Sequence, residues 1–168
     1  MGEADRRRIF QTWLDQHRGL IFKIVRAYAH TEMDRDDLFQ EVAVQLWRSV
    51  PSFKGESKET TWIYRVALNT TMRWLHVEKR RDRIDLQEAH LVLQHGPSPV
   101  DQQLAWLYAE IAQLDDIDRS LALMLLDDLS YKEMSGVLGI TESNVGVRIH
   151  RIKKYLISKS KTVDRYGV

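Results

Sequence analysis

The chain has 168 residues, 43% of them hydrophobic and 29% charged, which is the balance of a folded protein rather than a disordered one. It contains no cysteine, which excludes disulfides, thiolate metal sites and a cysteine nucleophile. No apolar run approaches the roughly 20 residues needed to cross a bilayer, and the charged Met1 to Arg8 segment leads into no secretory signal. The expectation is a cytoplasmic protein without membrane insertion.

At about 150 residues per domain the length suits one or two domains. The net charge of +1 is unevenly spread. Residues 1–78 hold 12 basic and 11 acidic side chains, residues 101–128 hold one and seven, and residues 129–168 hold eight and three. A basic final third after an acidic stretch points towards a polyanionic partner, although a solvated helix face gives the same composition.

In chain order, the pattern reads as helices throughout, with only three prolines and no sustained alternation of apolar and polar residues. Trp13, Leu20, Ile21, Ile24 and Tyr28 recur at helical spacing in a first helix from about Arg7 to Ala29. A second begins near Asp34 to Asp37 and ends at Pro51, its stripe being Leu38, Phe39, Val42, Ala43, Leu46 and Trp47. Acids in its first turn suit the helix dipole. A polar loop from Pro51 to Glu59 precedes a third helix from about Thr60 to Arg81, with Trp62, Ile63, Val66, Ala67, Thr70 and Trp74 inward.

Periodicity is then lost up to Gly96-Pro97-Ser98-Pro99, a loop or linker signal. Two further helices follow, from about Val100 to Gln113 and from Asp116 to Asp128. Ser130 and Glu133 form a capping box, and Gly139 closes the helix they open. Thr141 caps a last helix from Glu142 to about Ser160. The fold class is therefore all-α, two small helical domains at 1–81 and 101–168 joined by a linker at 82–100. The last two helices and their glycine turn form a helix-turn-helix.

Each domain has a face suited to binding. In the final helix Val145, Ile149, Ile152 and Leu156 share the buried side, leaving Ser143, Asn144, Val147, Arg148, Arg151 and Lys154 outside. Asn and Arg offer paired groups to base edges in a major groove, and Lys meets phosphates. Helix-turn-helix geometry also occurs in purely structural helix pairs. On the third helix Arg65, Asn69, Arg73, His76 and Arg80 form a basic ridge beside a loop carrying Lys54, Ser57 and Lys58. Aromatic rings there can stack on unpaired bases. Trp62 and Trp74 are expected in the core and Tyr64 is expected to be the exposed ring. Asp36, Asp37, Gln40 and Glu41 make an acidic, amide-rich face on the second helix, which repels phosphate and suits a basic protein surface.

Catalysis finds no support. The six histidines form no metal pair at helical spacing, and there is neither a glycine-rich phosphate loop nor a serine elbow. Asp115, Asp116 and Asp118 read as cap and dipole partners. No enzyme, no metal and no cofactor are expected.

The run Asp36-Asp37-Leu38-Phe39-Gln40-Glu41-Val42 followed by Leu46-Trp47 resembles region two of bacterial sigma factors of the extracytoplasmic-function group. Phe53-Lys54-Gly55-Glu56-Ser57 and Thr61 to Asn69 are similar to the family's segment that melts and reads the minus-ten element. Leu129 to Glu133, with Val145 and Arg148 to Leu156, resembles region four, which binds the minus-thirty-five element. The resemblance spans about Ile9 to Leu156. It implies a promoter-specificity factor whose acidic second helix grips the clamp helices of the largest subunit of core RNA polymerase, with region four at the flap. It implies Lys54, Ser57, Lys58, Tyr64, Arg65, Asn69, Arg73, His76 and Arg80 on minus-ten DNA, and Ser143, Asn144, Val147, Arg148, Arg151 and Lys154 on minus-thirty-five DNA. An anti-sigma partner is also implied.

Three departures stand out. Ala43 replaces a frequent aromatic, Ser135 a usual alanine, and Ser143-Asn144-Val145-Gly146-Val147-Arg148 the usual Gly-Thr-Val-Lys-Ser-Arg. The promoter sequence is therefore not transferable from relatives. A stand-alone helix-turn-helix regulator and a sigma-like adaptor without promoter reading remain alternatives.

Overall fold

The computed structural model describes residues 2–82 and 99–166, with side chains over 2–78 and 102–160. Among these are seven α-helices: α1 (Glu3–Tyr28), α2 (Glu32–Ser49), α3 (Glu59–Asp82), α4 (Pro99–Ala112), α5 (Asp116–Leu126), α6 (Tyr131–Leu138) and α7 (Glu142–Tyr166). A single 3-10 turn, Val50–Ser52, follows α2. The fold is all-α, as expected. Most of the predicted linker, 83–98, lies outside the described residues.

Helices α1, α2 and α3 pack on one another, and α5, α6 and α7 form a second group to which α4 adds through α5. Helix α1 begins four residues earlier than the apolar pattern suggests. Glu3 and Asp5 occupy its first turn, where acids complement the dipole, so the polar start is helical without a buried face. Helix α2 is capped by Thr31, whose side chain accepts the Asp34 N–H, and its first turn carries Glu32 and Asp34. The stripes of α1 and α7 are buried as their periodicity requires, from Trp13 to Tyr28 and from Val145 to Ile152.

Helix α3 differs. Its buried set is Thr61, Ile63, Tyr64, Ala67, Leu68, Thr70 and Thr71, wider than one stripe. It is covered on one side by α1 and α2 and on another by α6, so it has two inward faces rather than one. Trp62, Val66 and Trp74 are only half-buried against the core.

The two groups meet through α3 with α6 and α1 with α4 and α5. Tyr28 of α1 is buried, with its hydroxyl 2.9 Å from the Asp116 carbonyl and 2.7 Å from Ser120 Oγ. A buried phenol with two oxygens in reach satisfies its polar end while its ring fills the junction.

Candidate functional site

Asp36, Asp37, Gln40 and Glu41 all lie exposed on α2, as the sequence places them. Glu41 accepts a hydrogen bond from Gln45 one turn on, at 3.0 Å. Asp37, Gln40 and Glu41 rim a shallow groove of about 510 Å³ between α2 and α3. Val44 and Val77 give the groove an exposed apolar floor, at 43% and 51% exposure. Acidic edges around apolar side chains suit a protein partner better than a phosphate backbone. Val77 was not singled out by the sequence reading, although its position three residues after Trp74 is the signal that would have found it. Arg73, on the ridge with Asn69 and His76, also lines this groove.

The loop before α3 and the helix's first turns make a second groove of about 360 Å³, lined by Phe53, Lys54, Ser57, Trp62 and Arg65 among others. Gly55 has φ 74°, a left-handed turn conformation that a side chain would strain. Trp62 is fixed by its indole N–H, which donates to Ser49 Oγ at 3.1 Å. Phe53 packs at 5.6 Å from the Trp62 ring and edge-on to Trp13. This gives an aromatic wall beside cations, which can hold a flat base and a phosphate together. Asn69, Arg73 and His76 are exposed along the same helix, while the side chain of Arg80 lies outside the described residues.

Tyr64 corrects the expectation of an exposed ring. It is 0% exposed, and its hydroxyl donates to the Leu123 carbonyl at 3.1 Å and to Asp127. Burial pushes its pKa up. The reason is the second inward face of α3. A tyrosine there can fill the junction because α5 supplies acceptors for its hydroxyl. It therefore has no surface to offer a base in this arrangement.

Lys58 and Arg65 also face the second helical group. Lys58 Nζ lies 2.9 Å from Glu133 Oε1, and Arg65 Nη2 donates to the Gly136 carbonyl at 2.9 Å. Thr61 Oγ1 approaches the same Glu133 oxygen at 3.5 Å. The other oxygen, Oε2, accepts from the Ser130 N–H at 2.8 Å and its hydroxyl at 2.9 Å, while Ser130 Oγ accepts the Glu133 N–H. The capping box is thus present as predicted. Lys58 first, then Ser130, hold the Glu133 pKa down at about 2.

Gly139, φ 68°, ends α6, and Ser135 Oγ donates to the Ile140 carbonyl at 2.6 Å across the turn. That bond gives Ser135 a use that alanine lacks. Thr141 accepts the Asn144 N–H and opens α7. Ser143, Asn144, Val147, Arg151 and Lys154 project outward from α7.

Arg148 needs correction, because it does not stand free on the outer surface. Its Nη1 lies 2.6 Å from Asp118 and 3.6 Å from Asp115, and its Nε donates to Asn144 Oδ1 at 3.1 Å. The hydrogen bond to Asp118 leads the causes that raise its pKa. Asp115 and Asp118 do serve as cap and first-turn acid of α5, as expected, but they also capture this guanidinium.

Among the described residues, no group of His, Asp or Glu could hold a metal ion, and no helix is long and apolar enough to cross a membrane. The described residues thus combine a helix-turn-helix with an acidic groove and a basic aromatic groove.

The sigma-70 region 2 model matches residues 13–81, and the sigma-70 region 4 model matches residues 104–156. The chain is 28% identical over 146 residues to the ECF RNA polymerase sigma-E factor of Escherichia coli K12, covering 79% of this chain and 76% of that one. It is 25% identical over 162 residues to the RNA polymerase sigma-H factor of Pseudomonas aeruginosa, covering 88% and 84%. Two solved structures share the fold. One is the sigma factor RpoE of Bartonella quintana in complex with the anti-sigma factor NepR, at TM-score 0.77, 15% identity and 92% and 98% coverage. The other is CnrH with the cytosolic domain of CnrY, at TM-score 0.67, 21% identity and 93% and 90% coverage.

The chain belongs to the sigma-70 family of RNA polymerase sigma factors, in its ECF group. It directs promoter-specific transcription and is an initiation factor rather than an enzyme.

Proposed function

We propose that the three faces divide the work of a promoter-specificity factor. Residues 1–81 act as region two and residues 101–168 as region four, with 82–100 between them. Asp36, Asp37, Gln40 and Glu41 dock on the clamp helices of core polymerase, with Val44 and Val77 in the middle of the contact. The groove of Phe53, Trp62 and Arg65 takes an unpaired minus-ten base, while Lys54, Lys58, Asn69 and His76 hold the non-template strand. Capturing an already unpaired base favours melting without covalent chemistry, and a pocket that accepts only some bases reads sequence at the same time. Region four sets Ser143, Asn144, Val147, Arg151 and Lys154 against the minus-thirty-five duplex, near the polymerase flap.

The observation that carries this reading is the pinned Trp62 wall beside Lys54 and Arg65, on the same helical unit as the acidic α2 face. A net charge of +1 fits a chain that needs polymerase for tight promoter binding, because a strongly basic chain would bind any DNA. An anti-sigma partner is proposed as well, since the two structural neighbours were solved as complexes of that kind or with a cytosolic domain of a second protein.

Run-off transcription with core polymerase tests the reading. The wild-type chain is expected to give promoter-dependent product. Asp37→Lys with Glu41→Lys is expected to abolish product and copurification with core while leaving the helical circular dichroism unchanged. Specific duplex binding by the chain alone, unaffected by that double substitution, would favour a stand-alone regulator instead.

A further inference from the structure

The outer face of α7 carries one side chain that helix packing does not explain. Val147 is 59% exposed, whereas Val145, Ile149 and Ile152 on the inner face are buried. Ser143 and Asn144 stand one turn before it on the same side, and Arg151 and Lys154 one and two turns after it, all exposed. Valine gains nothing here from propensity, because a β-branched residue loses rotamer freedom in a helix and Gly146 beside it ranks lower still. Single exposed apolar residues are ordinary on protein surfaces. What sets this one apart is its place, in the second turn of the second helix of a helix-turn-helix, where a recognition helix meets base edges.

Its polar neighbours are arranged in advance. Arg148 Nε donates to Asn144 Oδ1 at 3.1 Å, and Arg148 is itself held by Asp118 at 2.6 Å. With Oδ1 engaged inside the helix, the amide N–H groups of Asn144 remain as donors for a base-edge acceptor. Val147 therefore sits between an anchored amide and the cation of Arg151. Amide, hydroxyl and cationic neighbours are the lining of a nucleic-acid contact and not the apolar centre of a protein interface. In the major groove, the C5-methyl of thymine is the apolar group among base edges that otherwise offer donors and acceptors.

We propose that Val147 is a specificity-determining residue that packs on the thymine C5-methyl of one base pair in the minus-thirty-five duplex. This rests on the placement of α7 in that duplex proposed above. The contact uses no hydrogen bond and removes apolar surface from water on both partners. A cytosine at the same position lacks the methyl and brings its N4 donor against an apolar side chain, so it is disfavoured twice.

The test removes the methyl and nothing else. The chain with core polymerase selects promoters from a pool randomised over the minus-thirty-five element. Selection with wild type is expected to enrich thymine at a position where Val147→Ser shows no preference. Replacing that thymine by uracil in an otherwise identical duplex deletes the C5-methyl alone. Binding by the chain with core polymerase, read by gel-shift, should fall about fourfold with wild type, the scale of one methyl group taken from an apolar contact. It should stay nearly level with Val147→Ser. The uracil comparison on wild type does not depend on how the variant folds.

An enriched sequence without thymine, or one whose thymines all tolerate uracil, overturns the methyl contact while leaving α7 on the duplex. If wild type enriches no minus-thirty-five sequence, the duplex placement fails and takes the methyl contact with it. Loss of copurification with core in Val147→Ser, with uracil tolerated by wild type, overturns the proposal in favour of an apolar contact with polymerase.

Discussion

Arg148 offers the sharpest test of how the recognition helix is built. Arg148→Ala removes a charge-assisted hydrogen bond of 2.6 Å to Asp118 and leaves that carboxylate, whose side chain is only 16% exposed, beside Asp115 without its cation. Hydrogen bonds to charged groups contribute about 1.5–3 kcal/mol, and the 21% exposure of Arg148 lets water recover a part, so about 2 kcal/mol is expected. For a chain of this size that corresponds to a fall in Tm of about 4–8 °C. Thermal melts by circular dichroism would measure it. A double-mutant cycle with Asp118→Ala should return a coupling of about 1–2 kcal/mol, because the residues are in direct contact. Duplex binding should weaken only as far as α7 loosens. A Tm unchanged within about 1 °C, together with loss of discrimination at one base pair, would refute the clamp and make Arg148 a base reader.

Two glycines should respond in opposite senses. Gly139→Ala meets no neighbour but forces a side chain into φ 68°, at about 1–2 kcal/mol, whereas Gly146→Ala places a methyl in ordinary contact with Tyr131 and gains about 1 kcal/mol of helix propensity. Melting curves of the two variants should therefore move down and up respectively. Glu133 is held at about pKa 2 in the folded chain, below its usual carboxylate value, so its contribution is present at neutral pH and fades as pH falls from about 4.5 towards 2. Thermal melts should lose that contribution through this window in the wild-type chain and change less in Glu133→Gln.

The apolar stripes of α1, α2 and α7 were legible because burial on one side of a helix leaves a period in the sequence. So were the capping box and Gly139, whose chemistry is complete within a few residues. The acidic face of α2 was legible for the same local reason. Tyr64 and Arg148 were not. Their partners, Asp127 and Asp118, lie 63 and 30 residues away, and no periodicity encodes a carboxylate from another helix. A tyrosine two residues after a core tryptophan looks outward when one buried face is assumed, and α3 has two. Arg73 illustrates a milder form of the same limit. Its place on the ridge was right, but the groove it borders depends on how α2 lies against α3.

The two oxygens of Glu133 serve different neighbours, Oε2 the start of its own helix and Oε1 Lys58, just before α3, and Thr61 within it. Undoing the second set leaves the first intact. Separation of the two helical units would therefore leave the capping box at the entry of the helix-turn-helix in place.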